Sequence, residues 1–204
     1  MSDALRTLQG KIGAVADGQF GPNTARAIAK HYELSPLHGA HLLGQASHES
    51  AGFTRTKESL YYSTPERIQA VWPSRFKTVK DAEPYAKNPT ALAGKVYAGR
   101  MGNINEQEAA AFIGRGFIQL TGHTNYRLFA SDMRLPEVLN DPSLVENEYA
   151  FESALWFFKS NSLFDLCTDI DELTIRKITK RINGGWHGID DRIAQTNKIY
   201  RWLS

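Results

Sequence analysis

Glu49 and Glu58 are the two side chains of this sequence best suited to acid/base chemistry. Glu49 closes an apolar helical run, Leu42-Leu43-Gly44-Gln45-Ala46-Ser47, and Gly52 breaks the helix behind it. Glu58 follows nine residues later, beside Lys57, in a predicted loop. Cleavage of a glycosidic bond needs one protonated carboxylic acid at the leaving oxygen. It also needs one ionised carboxylate, which activates water or attacks the sugar carbon. The two must sit in different surroundings so that their proton affinities separate. Glu49, near Leu42–Ala46 and Phe53, is the candidate desolvated acid, and Glu58 the candidate ionised base. Their spacing does not place them on one helix face, which would need i and i+4. It would let them approach from opposite walls of a groove, and it is equally compatible with two solvated side chains.

Other chemistries lack their residues. His48-Glu49 begins the zinc-helix pattern His-Glu-x-x-His, but position 52 is glycine, so the second ligand is missing. Six scattered histidines and one cysteine offer no structural zinc spacing. No Gly-x-Ser-x-Gly elbow occurs, and Cys167, in Phe164-Asp165-Leu166-Cys167, reads as a core residue. The expectation is therefore no metal and no cofactor.

The elements that must position the pair belong to an ordinary globular chain. Its 204 residues are 42% hydrophobic and 23% charged, enough for one sizeable core or one domain with a small appendage. A net charge of +2 allows an anionic polymer as substrate but falls short of a nucleic-acid footprint. A single cysteine permits no internal disulfide, which fits synthesis in a reducing cytoplasm. Met1-Ser2-Asp3-Ala4-Leu5-Arg6 lacks the basic start and apolar run of a signal peptide, and no apolar stretch approaches the roughly 18–20 residues of a membrane span. A substrate outside the cytoplasm would require another route of delivery.

Leu5, Leu8 and Ile12 share helical spacing, and Asp17-Gly18-Gln19-Phe20-Gly21-Pro22 is a turn leading into a second helix through Thr24, Ile28 and Tyr32. Residues 1–34 resemble the front half of a small peptidoglycan-binding module, on Leu8-Gln9, Asp17–Thr24 and Ala27-Ile28. They can equally be the first two helices of the main domain, which is expected over residues 35–204. Ser35-Pro36 should start the helix that reaches Ser50, and Ser63-Thr64-Pro65-Glu66 a short one ended by Pro73. Residues of about 64–110 read as short helices forming a small lobe. Gly114–Gly122 is the one strand-like piece. Helices are expected near Asn125–Ala130, Glu146–Lys159, Asp171–Arg181 and Ile189–Leu203. The fold class is mainly α, with one small β-hairpin or sheet.

Taken together, several blocks resemble glycoside hydrolase family 19. They are Gln45–Phe53, Glu58–Ser63, Gly114–Gly122 with Asn125-Tyr126, and Ile182-Asn183-Gly184-Gly185, in the family's order. Gly99-Arg100-Met101-Gly102-Asn103 resembles the form found in bacteriophage endolysins. The resemblance implies a lysozyme-like, two-lobed helical fold with a groove, and hydrolysis with inversion, for which the carboxylates stand roughly 6.5–9.5 Å apart to admit a water. It implies Glu49 as general acid, Glu58 as general base and Thr121 as a hydroxyl that holds the attacking water. Gln119, Asn125 and Asn183 fall on positions that bond the sugar N-acetyl groups and the nucleophile, and amides suit that work. His48 lines the groove, and Arg192 matches a basic residue that pairs near the acid.

Tyr62 and Tyr126, with Tyr61, either stack on sugar rings or fill the lobe interface, and Arg115 is either a supporting charge or part of a structural ion pair. Plant members of the family carry an acidic residue soon after the Asn-Gly-Gly block. Here Trp186-His187-Gly188 follow, leaving Asp190 or Asp191 as replacements. The expected function is an endolysin cutting β-1,4 bonds of peptidoglycan as a monomer. Its partner would be the glycan strands, with no nucleic acid and no membrane insertion. It would be made in the host bacterial cytoplasm and act on the wall after release across the inner membrane. The alternatives are a chitinase or a non-catalytic wall-binding protein.

Overall fold

Side-chain caps set many of the helix starts in the computed structural model of the chain, which describes residues 2–204. Ser35, Thr64 and Asn88 each accept a backbone N–H and are each followed by a proline in the first helical turn. The order begins with α1 (Asp3–Lys11), α2 (Pro22–His31) and α3 (Pro36–Glu49). Next come α4 (Pro65–Val71), α5 (Val79–Ala82), α6 (Pro89–Tyr97), α7 (Glu106–Ala111), α8 (His123–Met133) and α9 (Glu137–Asn140). Then follow α10 (Leu144–Asn147), α11 (Ala150–Ser160), α12 (Glu172–Asn183) and α13 (Ile189–Leu203). None of the helices among the described residues is long and apolar enough to cross a membrane.

The chain forms two units. The first comprises the segment ending at Thr56, with Gly116–Gln119 and Ser143–Ser204. Its central helix is α3, in which every residue from Gly39 to Ser47 is buried, the mark of a helix surrounded by protein. Gly44 lets α13 come close: a Cβ there would lie 2.3 Å from Thr196 Oγ1. Leu42, Leu43, Phe151, Phe158, Ile178 and Ile199 fill the core, and α1 and α2 add Leu5, Leu8 and Ile28 to it.

The second unit comprises Lys57–Arg115 and Leu120–Pro142. Its core gathers Leu60, Ile68, Phe76, Leu92, Val96 and Ile113. The loop Gly99–Asn103 is clamped within it. Asn103 Oδ1 accepts from His123 N at 3.0 Å, and Met101 O accepts from Thr124 N at 3.0 Å.

Two expectations change in detail. Gly114–Gly122 forms a tight turn with isolated bridges rather than an extended strand. Arg115 and Leu120 exchange backbone hydrogen bonds of 3.0 and 2.7 Å, and Arg115 also bridges Lys57. Gly116 and Gln119 take positive φ of 80° and 59°, which an extended strand does not adopt, and Phe117 and Ile118 between them are both buried. The single helix expected over Glu146–Lys159 is two, α10 and α11, because Tyr149 leaves helical geometry at φ −119°, ψ 24°.

Candidate active site

Glu49 is the last residue of α3, and the turn after it is built to stop the helix there. Ser50 Oγ donates to Ala46 O and accepts from Phe53 N, and Ala51, Gly52 and Phe53 run on with positive φ. Phe53 is fully buried against Phe20 and Phe117, at centroid distances of 4.3 and 5.0 Å, which anchors the reversal. The Glu49 side chain is left 23% exposed at the helix end.

Arg192, on α13, reaches it from below. Its guanidinium donates to Glu49 Oε1 at 2.5 Å, to Gln45 Oε1 at 2.5 Å and to His187 O at 3.0 Å. Gln45 in turn donates to Thr179 Oγ1 at 2.9 Å. A cation that is only 2% exposed thus has a carboxylate, an amide and a carbonyl as acceptors.

His48 Nδ1 lies 2.6 Å from Asp191 Oδ2. This hydrogen bond is the main cause holding the Asp191 carboxyl below the usual range. Gln195 and the charges of His48 and Arg192 add to it, against partial burial. The His48 ring rests on Gly188, where a Cβ would come 2.1 Å from Cε1. Of the two acids offered by the sequence in place of the one missing after Asn-Gly-Gly, Asp191 therefore serves His48, while Arg192 takes the neutral amide of Gln45. Asn183 ends α12. Its Oδ1 accepts from Gly185 N at 2.9 Å and its Nδ2 faces His187 O at 3.5 Å, so it shapes the loop that carries that carbonyl.

In the second unit, Glu58 sits in a loop that pairs with Gly114: its backbone N donates to Gly114 O at 2.9 Å. Both carboxylate oxygens are held, Oε1 by Gly114 N at 2.5 Å and Oε2 by the Tyr97 hydroxyl at 2.8 Å. Burial, then the negative charge of Glu58 and the hydrogen bond to it, push the Tyr97 phenol well above its ordinary value, so it remains a donor. Glu58 lines a pocket of about 290 Å³ with Lys57, Thr90, Ala93, Ile113 and Arg115. Arg115 is buried, and its guanidinium donates to Ala111 O at 2.6 Å and to Tyr126 OH at 3.2 Å.

Tyr126, expected among the substrate contacts, is corrected here. Its ring is fully buried and its hydroxyl donates to Ile113 O at 2.9 Å, so it braces the pocket wall from behind. Tyr62 is half-buried and packs edge-on to Trp72 at 5.2 Å, against the core of its unit. Thr121 is half-buried, and its carbonyl accepts from Nδ2 of the exposed Asn125 at 2.8 Å. Gln119, in the first unit, turns its amide onto Gly116 O at 3.1 Å.

The structure thus joins Glu49 and Arg192, and Asn183 through His187 O, into one network in the first unit, with His48 set beside it on Asp191. In the second, it joins Glu58 and Arg115 at one pocket, and Thr121 to Asn125. Gln45 and Tyr97 were missed from the sequence as site residues. A glutamine inside the apolar run Leu42–Ala46, four residues before Glu49, was a usable signal. Tyr97 gave none, since it reads as one more apolar helix position.

No family model matches the chain. It is 34% identical over 177 residues to a glycosyl hydrolase family 19 domain-containing protein of Haemophilus influenzae, spanning 83% of this chain and 80% of that protein. It is 31% identical over 144 residues to the acidic endochitinase WIN6 of Populus trichocarpa, spanning 68% of this chain but 34% of the poplar protein. In fold it is similar to a crystal structure of a chitinase C mutant, with a TM-score of 0.50 at 19% identity, covering 98% of this chain and 67% of that one.

Proposed function

The chain belongs to glycosyl hydrolase family 19 and is a glycoside hydrolase, and from that membership we propose that it cuts the β-1,4 bonds of bacterial peptidoglycan as an endolysin of the bacteriophage type. In this reading Glu49 protonates the leaving glycosidic oxygen. Glu58 takes a proton from a water held with Thr121, and that water attacks the anomeric carbon as the bond to the leaving oxygen breaks. One displacement inverts the carbon. The observation that carries the reading is the unlike fixing of the two carboxylates. Glu49 is gripped by the buried guanidinium of Arg192, and Glu58 by a neutral phenol and a backbone amide. This non-equivalence fits a division of labour between an acid and a base, while the assignment of Glu49 as the acid comes from the match of Gln45–Phe53 and Glu58–Ser63 to the family's two catalytic segments.

His48, Gln119, Asn125 and Asn183 supply amide and imidazole groups for the acetamido sugars. Residues 1–34, whose Asp17–Thr24 turn is tied to Gln9 by bonds of 2.8 Å to Asp17 Oδ1 and 3.0 Å to Thr24 Oγ1, add a wall contact in the same proposal. A chitin-cleaving reading has one observation in its favour, the similarity to a poplar endochitinase. Clearing of outer-membrane-stripped cells, run beside release of reducing ends from chitin oligomers, separates the two. The peptidoglycan reading predicts rapid clearing and slow chitin turnover, and the reverse would replace it with the chitinase.

A further inference from the structure

Trp186 takes no part in the chemistry above, yet it is the exposed one of the four tryptophans. Trp156 is buried, and Trp72 and Trp202 are half-buried, whereas the Trp186 residue is 55% exposed. A lone exposed hydrophobic residue means nothing by itself. What sets this one apart is its seat. The loop Gly184–Gly188 turns at Gly184 (φ 75°) and Gly188 (φ 68°) and is tied at successive residues. Gly185 N donates to Asn183 Oδ1, and Ile189 N donates to Trp186 O at 3.2 Å. His187 O accepts from Arg192, the residue that grips Glu49, and Gly188 lies under the His48 ring. The indole therefore stands on a hydrogen-bonded loop, one residue from a carbonyl that helps fix the candidate acid's partner. Lys180 Nζ lies 5.7 Å from its ring centroid, placing a positive charge on one side of it.

We infer that Trp186 and Lys180 form a subsite for the amino-sugar strand, in which the indole stacks on the C–H face of a pyranose ring and the ammonium pairs with a carboxylate of the stem peptide. An exposed indole offers a flat, weakly hydrated and electron-rich face, which suits the C–H bonds of a sugar ring. The ammonium lies over one side of the ring, and the 55% exposure of the residue leaves surface for stacking. Chitin is neutral, whereas the stem peptides of peptidoglycan carry carboxylates, so Lys180 gives the site a bias towards the peptide-bearing polymer. The inference rests on the peptidoglycan reading for its second half only, because stacking would act on either polymer.

The test is co-sedimentation with purified sacculi and, separately, with chitin, in a Glu49→Gln background that leaves the polymers uncut. Adding Trp186→Ala should weaken binding to both by about tenfold, and Trp186→Phe should recover most of it. Adding Lys180→Gln should weaken binding to sacculi by about threefold and leave chitin binding unchanged. Undiminished binding by Trp186→Ala overturns the stacking site, and an equal loss on both polymers with Lys180→Gln overturns the carboxylate contact. Failure of the underlying reading looks different: the wild-type protein would release reducing ends from chitin and none from sacculi.

Discussion

Arg192 and Glu49 form an ion pair of 2.5 Å in which the cation is 2% exposed and the anion 23% exposed. The pair is asymmetric: the buried partner bonds Glu49, Gln45 and His187 inside the protein, while the carboxylate keeps one side towards water. Arg192→Met would strand Gln45 Oε1 and His187 O as well as Glu49. Removing one member of a buried pair costs about 3 kcal/mol or somewhat more, and contact of Glu49 with water puts this case at the low end. Urea unfolding should register that loss, and glycan cleavage should fall by orders of magnitude. Arg192→Lys should recover part of the stability but little activity, because one ammonium cannot serve three acceptors with the fork geometry of a guanidinium.

Gly188 and Gly184 make a matched comparison. Both have positive φ, 68° and 75°, so alanine at either costs about 1 kcal/mol of backbone strain. At Gly184 the added Cβ meets nothing within 4 Å, whereas at Gly188 it meets His48 Cε1 at 2.1 Å. Gly184→Ala should therefore lower the unfolding free energy modestly and keep activity. Gly188→Ala should displace the His48 ring from Asp191 and impair cleavage well beyond its effect on stability. Equal activities in the two variants would show that the His48–Asp191 contact is dispensable.

Tyr97→Phe removes the neutral donor to Glu58 Oε2 while keeping the ring in place. Hydrogen bonds to charged groups contribute about 1.5–3 kcal/mol, so kcat should fall tenfold or more if the bond positions the base. KM should change little, since the phenol points at Glu58. A change confined to KM would place Tyr97 in sugar binding instead.

His41 supplies a pH dependence separate from catalysis. It is fully buried in α3, with Nε2 at 2.8 Å from Asp169 O. Burial pulls its pKa below the ordinary 6.5, and the positive side of His38 adds to this. The Asp169 carbonyl and the charges of Asp171 and Asp169 oppose it. The unfolded chain therefore takes up a proton near pH 6.5 that the folded chain refuses until lower pH. Stability is complete above that value and declines as pH falls below it, towards the folded-state pKa. Urea midpoints measured from pH 7.5 down to 5 should fall in the wild type and fall less in His41→Gln.

What the sequence disclosed follows from the range of the physics involved. The caps Ser35-Pro36, the break at Gly52 and the closing helix Ile189–Leu203 are local, and they were legible from residue type and spacing. The turn at Gly116–Gln119 was misread as strand because burial of the neighbours Phe117 and Ile118 is decided by tertiary packing. For Tyr126, open between stacking and filling, and for Tyr97, an ordinary apolar helix position, the deciding hydroxyl partners lie 13 and 39 residues away along the chain. Asp191 was legible as an acid in the right neighbourhood, but its choice of His48 over Arg192 is visible only in three dimensions.

The stereochemistry of the product tests the proposed single displacement. Proton NMR during the first minutes of hydrolysis should show the α anomer ahead of mutarotation, and a β product would require a covalent intermediate instead.

The most direct measurement of the central proposal compares reducing ends released from purified sacculi by the wild type and by Glu49→Gln at equal folded concentration. The substitution keeps the shape of the side chain and an acceptor for Arg192 but removes the proton that the leaving oxygen needs. The expected result is loss of cleavage by about two orders of magnitude or more, with the urea midpoint shifted far less than in Arg192→Met. Near-full release by Glu49→Gln would contradict the account.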